Sequence, residues 1–460
     1  MTERLRHSAL LTDLYELTMA AAYFENNINV TASFELFVRQ MPRERGYLLA
    51  AGLEQALEFL EGVQFSPEEI AFLRRHPMFA RVGEAFFEYL REFRFTGEVW
   101  AMPEGTPVFA DEPLLRVTAP IIEAQVVETY LLSAITFQTL IATKAARVVE
   151  AAAGRGVVEF GTRRAHGPEA GTLAARAAYV GGCIGTSNVE AGLRFGVPTY
   201  GTLAHSFVMA YDDEGESFRQ FARVFPDHAI LLVDTYDTLA AIDKIIRLGL
   251  RPRGVRLDSG DLVTLSKAVR RKLDQSGLTE TRIFASGDLN EYAIADALAQ
   301  GAPVDFFGVG TELATSKDAP ALGGVYKLVE LRDGEEHHPR AKLSQDKVNH
   351  PGRKQVYRFR DAQGFYDHDV LACAEESYAD AEPLLECVLR RGQRILASPS
   401  LEEIQTRART LLARLPERYR QLRTPAAYAV VPSAALQQLL DKVRQAHLQP
   451  TGQKRGWGKE

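Results

Sequence analysis

The sequence predicts an α/β fold: an irregular or incomplete α/β barrel, with an N-terminal α/β domain before it and a C-terminal extension after it. Two observations carry this. Between about Arg155 and Arg332 short apolar runs recur, and each closes on small or polar residues: GVVEFGTRR, PTYGTLAHS, AILLVDTYD, GVRLDSGD, RIFASGDLN and DFFGVGTEL. Helical stretches lie between most of them, among them Thr238 to Leu248, Leu262 to Ser276 and Asn290 to Ala299. Short buried strands alternating with helices imply parallel pairing. Chemistry at strand C-termini fits a barrel or an open sheet. A barrel is preferred, and a count of six or seven good strands makes it incomplete.

The flanking regions differ in texture. Residues 1–150 open on a helix from Ala9 to Glu25 capped by Thr12 or Asp13, followed by the strand-like TASFELFVR. Helical stretches are expected from Tyr47 to Leu60 and from Ser66 to Phe93, then short strands in GEVWAMPEGTPVFADEPLLRV, where Pro and Gly punctuate the chain. A long helix runs from Ile122 to Ala153 and stops at Gly154. The barrel domain is expected at 151–335. The region 336–450, with helices at Leu401–Leu415 and Ser433–His447, is expected to pack on the N-terminal domain. The tail 451–460 has turn residues and no apolar face, so it is expected to be flexible.

Bulk properties exclude several classes. The 460-residue chain has 46% hydrophobic and 25% charged residues, an ordinary globular composition. No apolar run reaches the roughly 18–20 residues that span a bilayer. The opening MTERLRHSALLTDLYE meets acids before any signal-peptide core, so a cytoplasmic location and no membrane partner are expected. A net charge of −6 argues against nucleic-acid binding, yet local arginines can still make a cleft positive. Cys183, Cys373 and Cys387 are widely spaced and read as reduced structural thiols. His337, His338 and His350 lack a metal-site spacing and read as a solvated loop.

The strand ends hold the candidate chemistry. VRLDSGD places Arg256, Asp258, Ser259 and Asp261 within six residues, and in a strand Arg256 and Asp258 share a side. A guanidinium beside a carboxylate can hold both an acid and a sugar hydroxyl; equally, Asp258 could simply cap the next helix. Gly287, Gly310 and Thr311 lie in turns whose exposed N–H groups suit a phosphate, although tight-turn geometry alone would explain either turn. In EFGTRR, Phe160 could stack a ring and Arg163 could hold an anion; the plainer account is a core aromatic and two surface arginines. His205 follows PTYGTLA, where a histidine can serve as nucleophile or acid/base. A lone histidine is more often structural, but a barrel brings all these strand ends to one face.

Taken together the motifs resemble the nicotinate phosphoribosyltransferases. EFGTRRAHGPEA, YVGGCIGTSNV, PTYGTLAHSFVMAY, VDTYDT, VRLDSGDL, IFASGDLNEY and FGVGTEL occur in that family in this order, as do LLTDLYELTMA and SFELFVRQMPRERGYLLAAGLEQAL. The resemblance spans at least residues 9–330. It implies a type II phosphoribosyltransferase fold, working as a homodimer with shared active sites. The implied reaction joins nicotinate to 5-phosphoribosyl 1-diphosphate, giving nicotinate mononucleotide and diphosphate, coupled to ATP hydrolysis and assisted by Mg²⁺.

The resemblance also implies roles. His205 matches the histidine that ATP phosphorylates, and Asp258 and Asp234 match acids near ribose and metal. Phe160 matches the aromatic that stacks the pyridine ring, and Tyr15 its second face, supplied by the partner subunit. Arg256, with Thr202 close by, matches the contact to the pyridine carboxylate. Gly287, Gly310 and Thr311 match the 5-phosphate turns, Arg39 and Arg163 match arginines on the diphosphate side, and Lys317 is a looser match to a phosphate-binding cation. Metal ligands cannot be named from the sequence. Ser187 stands where relatives acting on nicotinamide carry an aspartate, which repels a carboxylate; a neutral hydroxyl can donate. Nicotinate is therefore expected over nicotinamide. A quinolinate phosphoribosyltransferase and a non-catalytic nucleotide-sensing barrel fit less well.

Overall fold

The computed structural model describes residues 8–344 and 348–448. The expected tail at 451–460 lies outside them. The N-terminal part is built on a seven-stranded antiparallel sheet. Its order is Glu336–Pro339, Gly324–Asp333, Thr31–Val38, Pro113–Pro120, Glu98–Ala101, Glu386–Arg390 and Gln393–Arg394. Thr31–Val38 sits centrally and is buried on both faces from Ala32 to Val38, so its polar Ser33 and Glu35 are buried too and take partners, Thr118 at 2.9 Å and Lys354 at 2.7 Å. Gly324–Asp333, expected within the barrel segment, leaves the barrel and pairs with Thr31–Val38. The histidines of this edge lie in a strand, not the expected loop: His337 pairs with Arg332, and its Nδ1 lies 3.1 Å from Glu330.

Several expected helices are shorter than their periodicity suggested. The first runs Leu14–Glu25, with Asp13 at its N-cap but no capping bond from that side chain. The stretch after Ser66 breaks into Pro67–Arg75, Pro77–Phe79 and Glu84–Glu92, where Pro77 and Gly83 interrupt the ladder. The long helix is two, Ile121–Val126 and Glu128–Ala151. The second is buried on most sides and lies between the N-terminal sheet and the barrel. Its polar side chains serve as anchors: Thr143 Oγ1 accepts from the Leu49 amide at 2.9 Å and Thr139 Oγ1 from Ala51 at 3.2 Å. Lys144 Nζ reaches Glu291 at 2.6 Å and Asp318 at 2.8 Å, tying the helix to the barrel.

The second unit is a six-stranded parallel sheet. Its order is Gly185–Thr186, Gly156–Glu159, Phe306–Val309, Arg282–Ala285, Gly254–Leu257 and Ile230–Leu232. A parallel bridge from Thr186 to Thr199 extends one edge. No backbone ladder joins that edge to Ile230–Leu232 among the described residues, so the barrel is open there. PTYGTLA is accordingly not a full strand: only Thr199 pairs, and 200–204 run without regular structure. The gap is spanned by side chains, since His205 Nδ1 lies 3.1 Å from Thr235 Oγ1. A four-stranded sheet, Glu382–Pro383, Lys354–Arg360, Tyr366–Cys373 and Ala429–Pro432, forms the C-terminal region.

Candidate active site

The ends of the parallel strands converge on one knot of polar side chains, centred on Arg256. From near the end of the strand Gly254–Leu257 its guanidinium donates to Ser286 Oγ at 2.7 Å, Thr202 Oγ1 at 3.0 Å and Asp258 Oδ1 at 2.5 Å. Three elements thus meet on one planar cation, whose fork suits such multiple contacts. The Cζ atom lies 5.5 Å from the Phe160 ring centre.

Asp258 faces the site and does not cap the next helix. That role belongs to Asp261, which accepts from the amides of Val263 and Thr264 at 3.1 and 3.3 Å. Burial alone would raise the Asp258 carboxyl. The Ser286 hydroxyl and the Arg256 charge outweigh it and hold the group below the usual carboxylate range. Asp258 Oδ2 sits 3.9 Å from His205 Nε2. Asp234 accepts through Oδ2 from the Asp258 amide at 3.0 Å and the Ser259 hydroxyl at 2.6 Å. Its Oδ1 is buried without a partner.

Phe160 follows the strand Gly156–Glu159 and stacks on Phe284 with centroids 5.5 Å apart at 17°. Gly308 makes that pair possible: a Cβ there would stand 2.6 Å from the Phe160 ring and 2.9 Å from Phe284. Gly287 has φ +110, and a Cβ on it would meet the Asp258 carbonyl oxygen at 2.5 Å. Glycine is therefore required at this turn both conformationally and sterically. The following helix, Glu291–Ala299, has the Tyr292 and Ala293 amides taken by Asn290 Oδ1, and in the turn the Ser286 and Leu289 amides are bonded to Leu257 and Gly287, which leaves Gly287 and Asp288 to offer amides to a ligand. Gly310 precedes the short helix Thr311–Ala314.

Other expected residues stand further out. Ser187 and Arg163 are exposed, and their side chains make no hydrogen bond or ion pair among the described residues. Lys317 is exposed and pairs with Glu312 at 3.0 Å. Tyr15 and Arg39 belong to the N-terminal domain, and among the described residues no hydrogen bond or ring contact joins them to the Arg256 cluster. The Tyr15 ring is half exposed, and its hydroxyl is raised by burial and by neighbouring Glu128. Arg39 is partly buried, with Nε and Nη2 unpartnered. Sequence reasoning missed Ser286, Thr235, Phe284 and Gly308. All four lie inside motifs it had marked, but their partners come from other strands. Among the described residues no group of three or more His, Cys, Asp or Glu forms a metal cage.

Comparisons with known proteins agree along the chain. Residues 10–136 match the nicotinate phosphoribosyltransferase N-terminal domain and 377–440 the C-terminal domain of the same family. Residues 141–319, the barrel segment, match the quinolinate phosphoribosyl transferase C-terminal domain. The chain is 46% identical over 454 residues to a nicotinate phosphoribosyltransferase of Mycobacterium tuberculosis, covering 97% of this chain and 96% of that protein. It is 40% identical to the nicotinate phosphoribosyltransferase of Bacillus subtilis, with 92% of each covered. The crystal structure of human nicotinic acid phosphoribosyltransferase matches with a TM-score of 0.83 at 32% identity, covering 94% of this chain and 99% of that one.

Proposed function

This chain belongs to the nicotinate phosphoribosyltransferase family, and from that premise we propose that it joins nicotinate to 5-phosphoribosyl 1-diphosphate in NAD salvage in the cytoplasm, coupled to ATP hydrolysis. The observation that carries the reading is the Arg256 knot. A cation held by Thr202, Ser286 and Asp258 beside the Phe160 ring suits an aromatic monocarboxylate. The ring lies against Phe160 and the carboxylate takes the outer edge of the guanidinium. The pyridine nitrogen then attacks ribose C1, the C1–N bond forms, and the C1–O bond to diphosphate breaks. Positioning and charge stabilisation are the whole task, with no covalent bond from protein to sugar.

His205 is placed to carry a phosphoryl group. Its Nδ1 lies 3.1 Å from Thr235 Oγ1 and its Nε2 3.9 Å from Asp258 Oδ2, so with the proton on Nε2 the Nδ1 lone pair is the nucleophile. Attack of that nitrogen on the terminal phosphorus of ATP forms the N–P bond and releases ADP. The added charge at the mouth of the site changes its affinity for substrate and product.

The donor set fits Mg²⁺. Asp234 Oδ1 is buried and unpartnered, Asp258 Oδ2 accepts no short bond, and an ion with few protein ligands would complete its shell with waters and phosphates. Asp234 and Asp258 would hold it, and when bound it neutralises the leaving diphosphate. Gly287, Gly310, Thr311 and Lys317 receive the 5-phosphate, and Arg163 the diphosphate. Tyr15 and Arg39 reach the site from a second copy, so the working unit is a homodimer; the half-exposed Tyr15 ring and the unpartnered Arg39 nitrogens, neither bonded to the Arg256 cluster among the described residues, support this. Ser187 favours nicotinate by placing no anion near its carboxylate.

The test is direct. Protein incubated with nicotinate, 5-phosphoribosyl 1-diphosphate and Mg²⁺, with and without ATP, should yield nicotinate mononucleotide by mass, faster with ATP. No such nucleotide under either condition, or faster turnover of nicotinamide, overturns the reading.

A further inference from the structure

Between the strand ends that carry Phe160 and Ser187 lies a carboxylate that the proposed reaction does not use. Glu159 closes the strand Gly156–Glu159 and is fully buried. Parallel register sets it beside Thr186 on one side and Val309 on the other. Among the described residues its carboxylate is held by neutral donors alone, Thr186 Oγ1 at 2.6 Å and the Gly161 amide. Both oxygens accept, the pattern of an ionised group. Burial pushes the Glu159 carboxyl up, against those two hydrogen bonds.

The bonds close a ring between two turns. The Glu159 side chain reaches forward to Gly161 in its own turn and across to Thr186, while its carbonyl accepts from the Ser187 amide at 2.9 Å. Thr186 Oγ1 also accepts from the Asn188 amide at 3.0 Å, and Asn188 Nδ2 donates back to Thr162 Oγ1 at 3.1 Å. Thr186 and Asn188 are buried as well. Gly161 lets the first turn come this close: a Cβ there would stand 2.8 Å from Glu159 Oε1 and 2.8 Å from the Gly310 carbonyl oxygen. Phe160 is therefore flanked in the chain by Glu159 and Gly161, and Ser187 by Thr186 and Asn188, all members of the ring. A neutral side chain would fill the same space without the desolvation penalty of a buried charge. What the charge adds is grip, since hydrogen bonds to an ionised acceptor are roughly twice as strong as neutral ones.

We propose that Glu159 is a positioning residue for pyridine selection: its carboxylate locks the Phe160 turn to the Ser187 turn and so fixes the ring face and the neutral hydroxyl relative to Arg256. The inference rests on the reading of this site as the nicotinate slot. Being fully buried, Glu159 reaches no substrate itself and acts through the two turns. Loosening them lets the ring face and the Ser187 hydroxyl drift apart, which weakens nicotinate binding and blurs its distinction from nicotinamide.

Thr186→Val tests this, because it keeps the side-chain shape and removes the hydroxyl that joins Glu159 to Asn188. Its KM for nicotinate should rise at least about tenfold, the loss expected of a hydrogen bond to a charged group, and several times more than any change in kcat or in the KM for 5-phosphoribosyl 1-diphosphate. The preference for nicotinate over nicotinamide should fall at least about threefold, and Thr186→Ser, which restores the hydroxyl, should return both quantities to within about threefold of the parent. Glu159→Gln, which keeps the packing and removes the charge, should raise the nicotinate KM at least about threefold. Should Thr186→Val fail to fold, Glu159→Gln decides alone. Equal losses for both substrates, an unchanged pyridine preference in Thr186→Val, no recovery in Thr186→Ser, or a parent-like nicotinate KM in Glu159→Gln would each overturn the assignment. A parent protein that makes no nicotinate mononucleotide would instead sink the reading of the site; an active parent with indifferent variants sinks only the role of Glu159.

Discussion

Replacing Arg256 with glutamine tests the core of the site, because that side chain is where three barrel elements meet. Its guanidinium holds Ser286 at 2.7 Å, Thr202 at 3.0 Å and Asp258 at 2.5 Å. Glutamine keeps the length to reach one of these hydroxyls but loses the charge and the fork. The nicotinate carboxylate then loses a charge-assisted contact worth about 1.5–3 kcal/mol. At 1.4 kcal/mol per decade, kcat/KM for nicotinate should fall about 10- to 150-fold. Asp258 loses one of the three groups that oppose its burial, while the Ser286 hydroxyl and His205 remain. Phe160 keeps its stacking on Phe284, so the ring slot survives. Nicotinamide carries no carboxylate, so the ratio of nicotinate to nicotinamide turnover should drop by nearly the same factor. Steady-state kinetics with each pyridine, and with 5-phosphoribosyl 1-diphosphate varied, give the answer. A nicotinate kcat/KM within about threefold of the parent, with the KM for phosphoribosyl diphosphate raised tenfold, would refute the assignment and move Arg256 to the sugar side.

Other outcomes follow from neighbouring residues. His205→Ala should abolish phosphate transfer from γ-labelled ATP and leave slow, uncoupled nucleotide synthesis; undiminished labelling would remove His205 from that role. Gly287→Ala forces a Cβ to within 2.5 Å of the Asp258 carbonyl at φ +110, so kcat/KM for phosphoribosyl diphosphate should fall at least about tenfold, and unchanged kinetics would exclude the turn from the site. Glu16 is raised to about 7 by burial, against hydrogen bonds from Thr12 and Thr129. Its protonated form is the one the fold favours, so that stabilisation is full below the ordinary carboxylate value and disappears as pH rises through about 7. Glu16→Gln should therefore gain in Tm over the parent between pH 5 and pH 8, and a gap that does not widen with pH would show that this carboxyl titrates normally.

Much of the barrel was legible because its information is local. GVRLDSGD and RIFASGDLN announce a buried strand followed by a polar turn, and those are the strands Gly254–Leu257 and Arg282–Ala285 with Asp258 and Ser286 at their ends. The helices read too long where only tertiary packing marks the break, as in the join between Ile121–Val126 and Glu128–Ala151. PTYGTLA looked like a strand because its composition is strand-like. Its backbone has a neighbour at Thr199 alone, and composition does not report which partner is in reach. The choice for Asp258 between cap and site residue was open for the same reason: Asp261 lies three residues on and takes the cap.

The sequence by itself determined the alternation of strands and helices, the family, and the set of polar residues at strand ends, since each of these is written in runs of a few adjacent residues. The tertiary structure alone decided which of them act together. It put Thr202, Ser286 and Asp258 on one guanidinium and set His205 across the open seam from Thr235. It joined neither Tyr15 nor Arg39 to that cluster by a hydrogen bond or ring contact among the described residues. Those are contacts between residues far apart in the chain, and their geometry is set by strand order and register, which no local run of residues encodes.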